Sequence, residues 1–68
     1  MYIERDKYDQ LPFAIQTGAL QLWGTLLASY QQANELHQLY QFNDFLAELH
    51  YNQQQQVVGI STFPVLIN

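Results

Sequence analysis

The residues able to do chemistry in this sequence are few: two histidines, six carboxylates, two basic residues and no cysteine among 68 positions. His37, Asp44 and Glu48 fall on one face of a helix, at spacings of seven and four residues. Such a face could offer ligands to a divalent metal, which asks for three or four donors in a preferred geometry. The pattern lacks the pair of histidines four apart that a helical metal site would present, and it reads instead as a solvated acidic face. Glu-Leu-His occurs twice, at Glu35–His37 and Glu48–His50. On one continuous helix the two copies point in very different directions, so the repeat reads as coincidence. No metal and no cofactor are expected.

Nucleophilic chemistry has less support. There is no thiol, and Ser29, Ser61 and Thr62 have no nucleophile elbow or base motif around them. Gly18 and Gly24 do not form a phosphate-cradling loop, since no lysine follows and no strand is expected before them. Two carboxylates working as acid and base need a shaped pocket, which a chain of this size seldom encloses. The expectation is a protein without catalytic activity.

Charge narrows the partners. The net charge is −4, and both cations, Arg5 and Lys7, lie near the start among Glu4, Asp6 and Asp9. Nucleic-acid affinity comes from several cations neutralising phosphates, so direct binding of DNA or RNA is not expected.

The elements that would position these residues read as helices. Residues 1–9 form a short charged segment. Over residues 10–30, Pro12 suits a first helical turn, with Asp9 or Gln10 ahead of it as a cap. At about 100° per residue, Phe13, Ile15, Ala19, Leu20, Leu22, Trp23, Leu26, Leu27 and Tyr30 share one half of the wheel. The other half is small and uncharged rather than hydrophilic, so both faces look buried or shielded, and Gly18 and Gly24 suggest close packing. Residues 34–52 carry a second stripe of Leu36, Leu39, Tyr40, Phe42, Leu46, Ala47, Leu49 and Tyr51, with Asn34 as N-cap. The two stripes disagree in direction on a single rod, which asks for a turn between Tyr30 and Asn34. A further break is allowed at Asn43–Asp44. Residues 57–68 are β-branched, interrupted by Gly59 and Pro64, and read as an extended tail that must pair with something. The expected fold is therefore mostly α: a hairpin of two helices, or three, with an extended C-terminal segment.

Composition then points to function. Apolar residues make up 49% of the chain and aromatics 15%, against 12% charged. A domain this small has a marginal core and, without cysteine, no disulfide to support it. Burial of the excess against another chain resolves the imbalance. The expected function is a non-catalytic protein–protein interaction module: a homo-oligomer, an accessory subunit, or an inhibitor that occludes a partner's surface, of the kind phages and mobile elements encode. A cytoplasmic setting is expected. Trp23, Tyr30, Tyr40, Phe42 and Phe63 are the candidate anchors for the partner, because aromatic side chains dominate interface energetics. The competing readings are a small membrane-inserting protein, resting on the charge-free stretch from Leu11 to Tyr30, and a metal-dependent helical protein.

Overall fold

The computed structural model describes residues 2–65. Two short helices, α1 (Arg5–Asp9) and α2 (Phe13–Trp23), precede four strands: β1 (Thr25–Gln32), β2 (Glu35–Phe42), β3 (Phe45–Tyr51) and β4 (Val57–Pro64). The strands form one antiparallel sheet in the order β1-β2-β3-β4, each paired with its sequence neighbour. The mostly-α hairpin is overturned: strand accounts for 48% of the described residues and helix for 25%. The helix expected over residues 10–30 stops at Trp23 and gives way to β1, and the helix or helices expected over 34–52 are the strands β2 and β3.

The physical reason lies in period. Along β3, Phe45, Ala47 and Leu49 are buried at every second position, the alternation of a half-covered strand. In β2, Tyr40 and Phe42 continue the same face, since Tyr40 pairs with Ala47 and Phe42 with Phe45. Leu39 and Leu46 lie on the other face of the sheet and supply the positions that complete an apparent helical stripe. Tertiary pairing selects period two over period 3.6 wherever the strands find partners.

One turn occupies the break that the stripes require and the other the break allowed at Asn43–Asp44, but both join strands. Ala33 (φ 56°) and Asn43 (φ 55°) take left-handed backbone conformations in the two-residue connections of β1–β2 and β2–β3. Asparagine tolerates this region, whereas alanine pays for its Cβ there. Asn34 is the second residue of a hairpin loop and caps no helix. Asn43 also donates through Nδ2 to the Ile3 carbonyl oxygen at 3.1 Å, tying the turn to the N-terminal segment.

The core lies between the helices and one sheet face. Tyr8 of α1 and Ala19 and Leu20 of α2 pack with Tyr40, Phe42, Phe45, Ala47 and Leu49. The Tyr8 ring meets those of Phe42 and Phe45 at centroid distances of 5.5 and 5.2 Å. Each buried phenylalanine contributes about 1.5–3 kcal/mol through apolar burial. The Tyr8 hydroxyl donates to the Gln16 carbonyl oxygen at 2.6 Å, and Gln16 Nε2 returns a bond to the Tyr8 carbonyl at 2.8 Å. This exchange locks α1 against α2, and burial pushes the Tyr8 phenol well above its usual range.

Pro12 stands at the N-cap of α2, in the place expected for Asp9 or Gln10, and its carbonyl accepts from Ile15 and Gln16. The helix ends at Gly24, where the chain turns tightly into β1: a Cβ there would lie 2.6 Å from the Leu20 carbonyl oxygen and 3.1 Å from the Tyr40 ring. Gly18 by contrast has open space beside it, so close packing explains only one of the two glycines. Nor are both faces of α2 buried, since Phe13, Ile15, Leu22 and Trp23 all remain exposed. The tail is strand β4 over Val57–Pro64, paired with β3, while residues 66–68 fall outside the described part. Among the described residues no helix is long and apolar enough to cross a membrane, and the stretch from Leu11 to Tyr30 is divided between α2 and β1.

Candidate functional site

The two Glu-Leu-His segments, which read as coincidence on a helix, form one cluster on the sheet. Residues two apart on a strand share a face, so Glu35 and His37 of β2 point the same way, as do Glu48 and His50 of β3. Pairing places His37 directly opposite His50 and Leu39 opposite Glu48. All four side chains therefore stand on the face away from the helices. Tyr30 of β1 is opposite His37, and Ser61 of β4 is opposite Glu48.

Glu48 is the hub. Its Oε2 accepts from the Tyr30 hydroxyl at 2.6 Å, and its Oε1 lies 3.1 Å from His37 Nδ1 and 3.2 Å from His50 Nε2. His37 Nε2 in turn lies 3.4 Å from Glu35 Oε1. The Tyr30 ring stacks on His37 at 4.9 Å and 12°, and the two imidazoles stand 4.6 Å apart. These rings leave His37 only 8% exposed although it sits on the uncovered side of the sheet. Burial would raise the Glu48 carboxyl, but the bonds from Tyr30 and His37 and the charges of both imidazoles outweigh it, and the group titrates below its ordinary range. The same bond raises the Tyr30 phenol, chiefly through the Glu48 carboxylate that it would have to face as an anion.

Ser61 Oγ approaches His50 Nε2 at 3.4 Å, a contact that no local motif announces. It does not make a hydrolytic triad. A triad histidine holds its acid on one ring nitrogen and its nucleophile on the other, whereas Glu48 and Ser61 here meet the same nitrogen. Asp44, grouped with His37 and Glu48 on a helical face, is elsewhere: it sits in the β2–β3 turn and accepts from the Tyr2 hydroxyl. The helical ligand set of His37, Asp44 and Glu48 is thus dismantled, and Glu35, His37 and His50 converge in its place, with one ligand atom from each lying within 4.8 Å of the others.

Comparison with known proteins adds nothing to this geometry. No family model, curated protein or solved structure gives a significant match to the chain.

The five expected anchors divide by burial. Tyr40 and Phe42 belong to the core and are 9% and 1% exposed, which takes them out of reach of a partner. Trp23, Tyr30 and Phe63 are 52%, 43% and 42% exposed. Trp23 borders an apolar groove of about 400 Å³ beside α2, whose lining includes Ile3, Leu11, Gly18 and Leu22. Tyr30 and Phe63 stand on the open sheet face.

Strand β1 was not distinguished by its sequence, yet it is the least covered element. All eight of its residues are exposed. It forms one border of the sheet, and among the described residues nothing pairs with its outer edge. The opposite border is guarded. Arg5 Nη2 donates to the Thr62 carbonyl at 3.3 Å, Thr62 Oγ1 donates to Asp9 at 2.8 Å, and Pro64 closes the strand. β1 has no charge and no proline, the usual protections of a free edge.

Proposed function

We propose that the chain is a non-catalytic interaction module that associates with a second copy of itself through β1. The observation carrying this reading is that all eight residues of β1 are exposed and that, among the described residues, nothing pairs with its outer edge. An edge of this kind is a ready template for another strand. Its sequence, Thr-Leu-Leu-Ala-Ser-Tyr-Gln-Gln, contains no charge, so two copies meeting antiparallel about a two-fold axis oppose no like charges. Around it, Leu22 and Trp23 at the end of α2 extend the apolar surface beyond the strand itself. Ten large apolar side chains are more than 40% exposed among the described residues, in a chain with few charges to offset them. Pairing at β1 removes Leu26 and Leu27 from water and continues the sheet into eight strands. A cytoplasmic setting fits a chain that has no cysteine and so needs no oxidising compartment to form disulfides.

Light scattering over a dilution series tests the proposal. The expected result is a mass of twice 8.0 kDa that falls toward the single-chain value on dilution. A mass of 8.0 kDa at every concentration overturns self-association, and a stable complex with a different protein at β1 would replace the second copy with that partner.

A further inference from the structure

We propose that Glu35, His37 and His50 bind a divalent transition-metal ion of the zinc class on the open sheet face, with Glu48 orienting the imidazoles. The ligand atoms are already gathered, each within 4.8 Å of the others, on two paired strands. The 3.4 Å between His37 Nε2 and Glu35 Oε1 matches the edge of a zinc tetrahedron, about 3.3 Å for ligands roughly 2.0–2.1 Å from the ion. His37 Nδ1 faces Glu48 at 3.1 Å, the arrangement in which a carboxylate fixes the tautomer of a metal-bound histidine and leaves its other nitrogen to the ion.

A second observation asks for a cation. His37 is 8% exposed, and both of its ring nitrogens face carboxylate oxygens. A neutral imidazole has one N–H, so one nitrogen would direct its lone pair at an oxygen. Either a second proton or a metal ion between Nε2 and Glu35 removes that repulsion. Arg5 and Lys7 cannot supply the charge, because α1 packs on the other face of the sheet. Two imidazoles with carboxylates favour zinc-class ions over calcium or magnesium, which prefer all-oxygen shells. Tyr30, stacked on His37, shields one side of the site, and the fourth position is left to water. This inference does not depend on self-association, since its three ligands lie on β2 and β3, away from the outer edge of β1.

The test is calorimetric titration of metal-free protein with zinc chloride at about pH 7.5, with magnesium chloride as the control. One ion per chain should bind with a Kd of about 10 µM or tighter, and magnesium should give no heat. Glu35→Gln and His50→Gln should each weaken binding about tenfold or more, and Glu48→Gln about 10–100-fold through lost orientation. Circular dichroism checks that each variant keeps its fold. The imidazole nitrogen resonances of His37 and His50 should both move on zinc addition. No binding at about 1 mM zinc, binding unchanged in both Glu35→Gln and His50→Gln, or a His37 ring that stays doubly protonated with zinc present would each overturn the site.

Discussion

His37 and His50 stand directly opposite each other on β2 and β3, and their facing nitrogens meet the same oxygen, Oε1 of Glu48. Neither histidine has a sequence neighbour that predicts this. The shared oxygen makes Glu48 the residue on which the open face of the sheet depends, because it ties β3 to both β1, through Tyr30, and β2, through His37.

Replacing Glu48 with Gln should therefore destabilise the fold by about 1–3 kcal/mol, since Tyr30 and the two histidines lose a charged acceptor at a largely buried position. Denaturant unfolding measures it. The sign of the pH dependence follows from the depressed carboxyl. A group whose folded pKa lies below its unfolded value contributes stability above that unfolded value and loses it as pH falls through the folded one. Wild-type stability should decline below about pH 5, and the Glu48→Gln variant should show a shallower decline over that range.

The two helix glycines should respond in opposite ways to alanine. Gly18 lies inside α2 with nothing near its missing side chain, so Gly18→Ala should stabilise by about 0.5–1 kcal/mol. Gly24→Ala places a methyl group 2.6 Å from a backbone oxygen that the turn cannot move cheaply. It should cost about 1–3 kcal/mol. Thermal melts of the two variants would show melting temperatures displaced to either side of the wild type.

Leu20 and Leu22 give a comparison within one helix. Leu20 is fully buried and Leu22 is 74% exposed. Leu20→Ala should cost about 2–5 kcal/mol, and Leu22→Ala no more than about 0.5 kcal/mol. Equal losses in denaturant titrations would contradict the orientation of α2 on the sheet.

A lysine at Leu27 should disfavour strand pairing at the β1 edge while leaving the core untouched, because Leu27 is exposed and lies at the irregularity in the β1–β2 pairing. The Leu27→Lys variant should stay at the single-chain mass at concentrations where the wild type associates, with an unchanged far-ultraviolet spectrum. Wild-type association behaviour in this variant would remove β1 from the interface.

The residues themselves determined the small stock of chemistry: two histidines, a handful of carboxylates, no thiol, and an apolar excess. The apolar pattern also asked for a chain reversal between Tyr30 and Asn34, and the turn preference of Asn-Asp allowed another at Asn43–Asp44. Ala33 gave no such signal, because a left-handed alanine is disfavoured and is held by the strands it joins. What the tertiary structure decided was the period. Leu36, Leu39 and Tyr40 suit a helix as well as a strand, and only the pairing of β2 with β3 puts Leu39 on the open face and Tyr40 in the core. The candidate site followed from that decision. On a helix, Glu35–His37 and Glu48–His50 diverge; on paired antiparallel strands, positions two apart share a face and the two copies meet. Hydrogen-bond partners far along the chain select between those arrangements, and no window of neighbouring residues contains them.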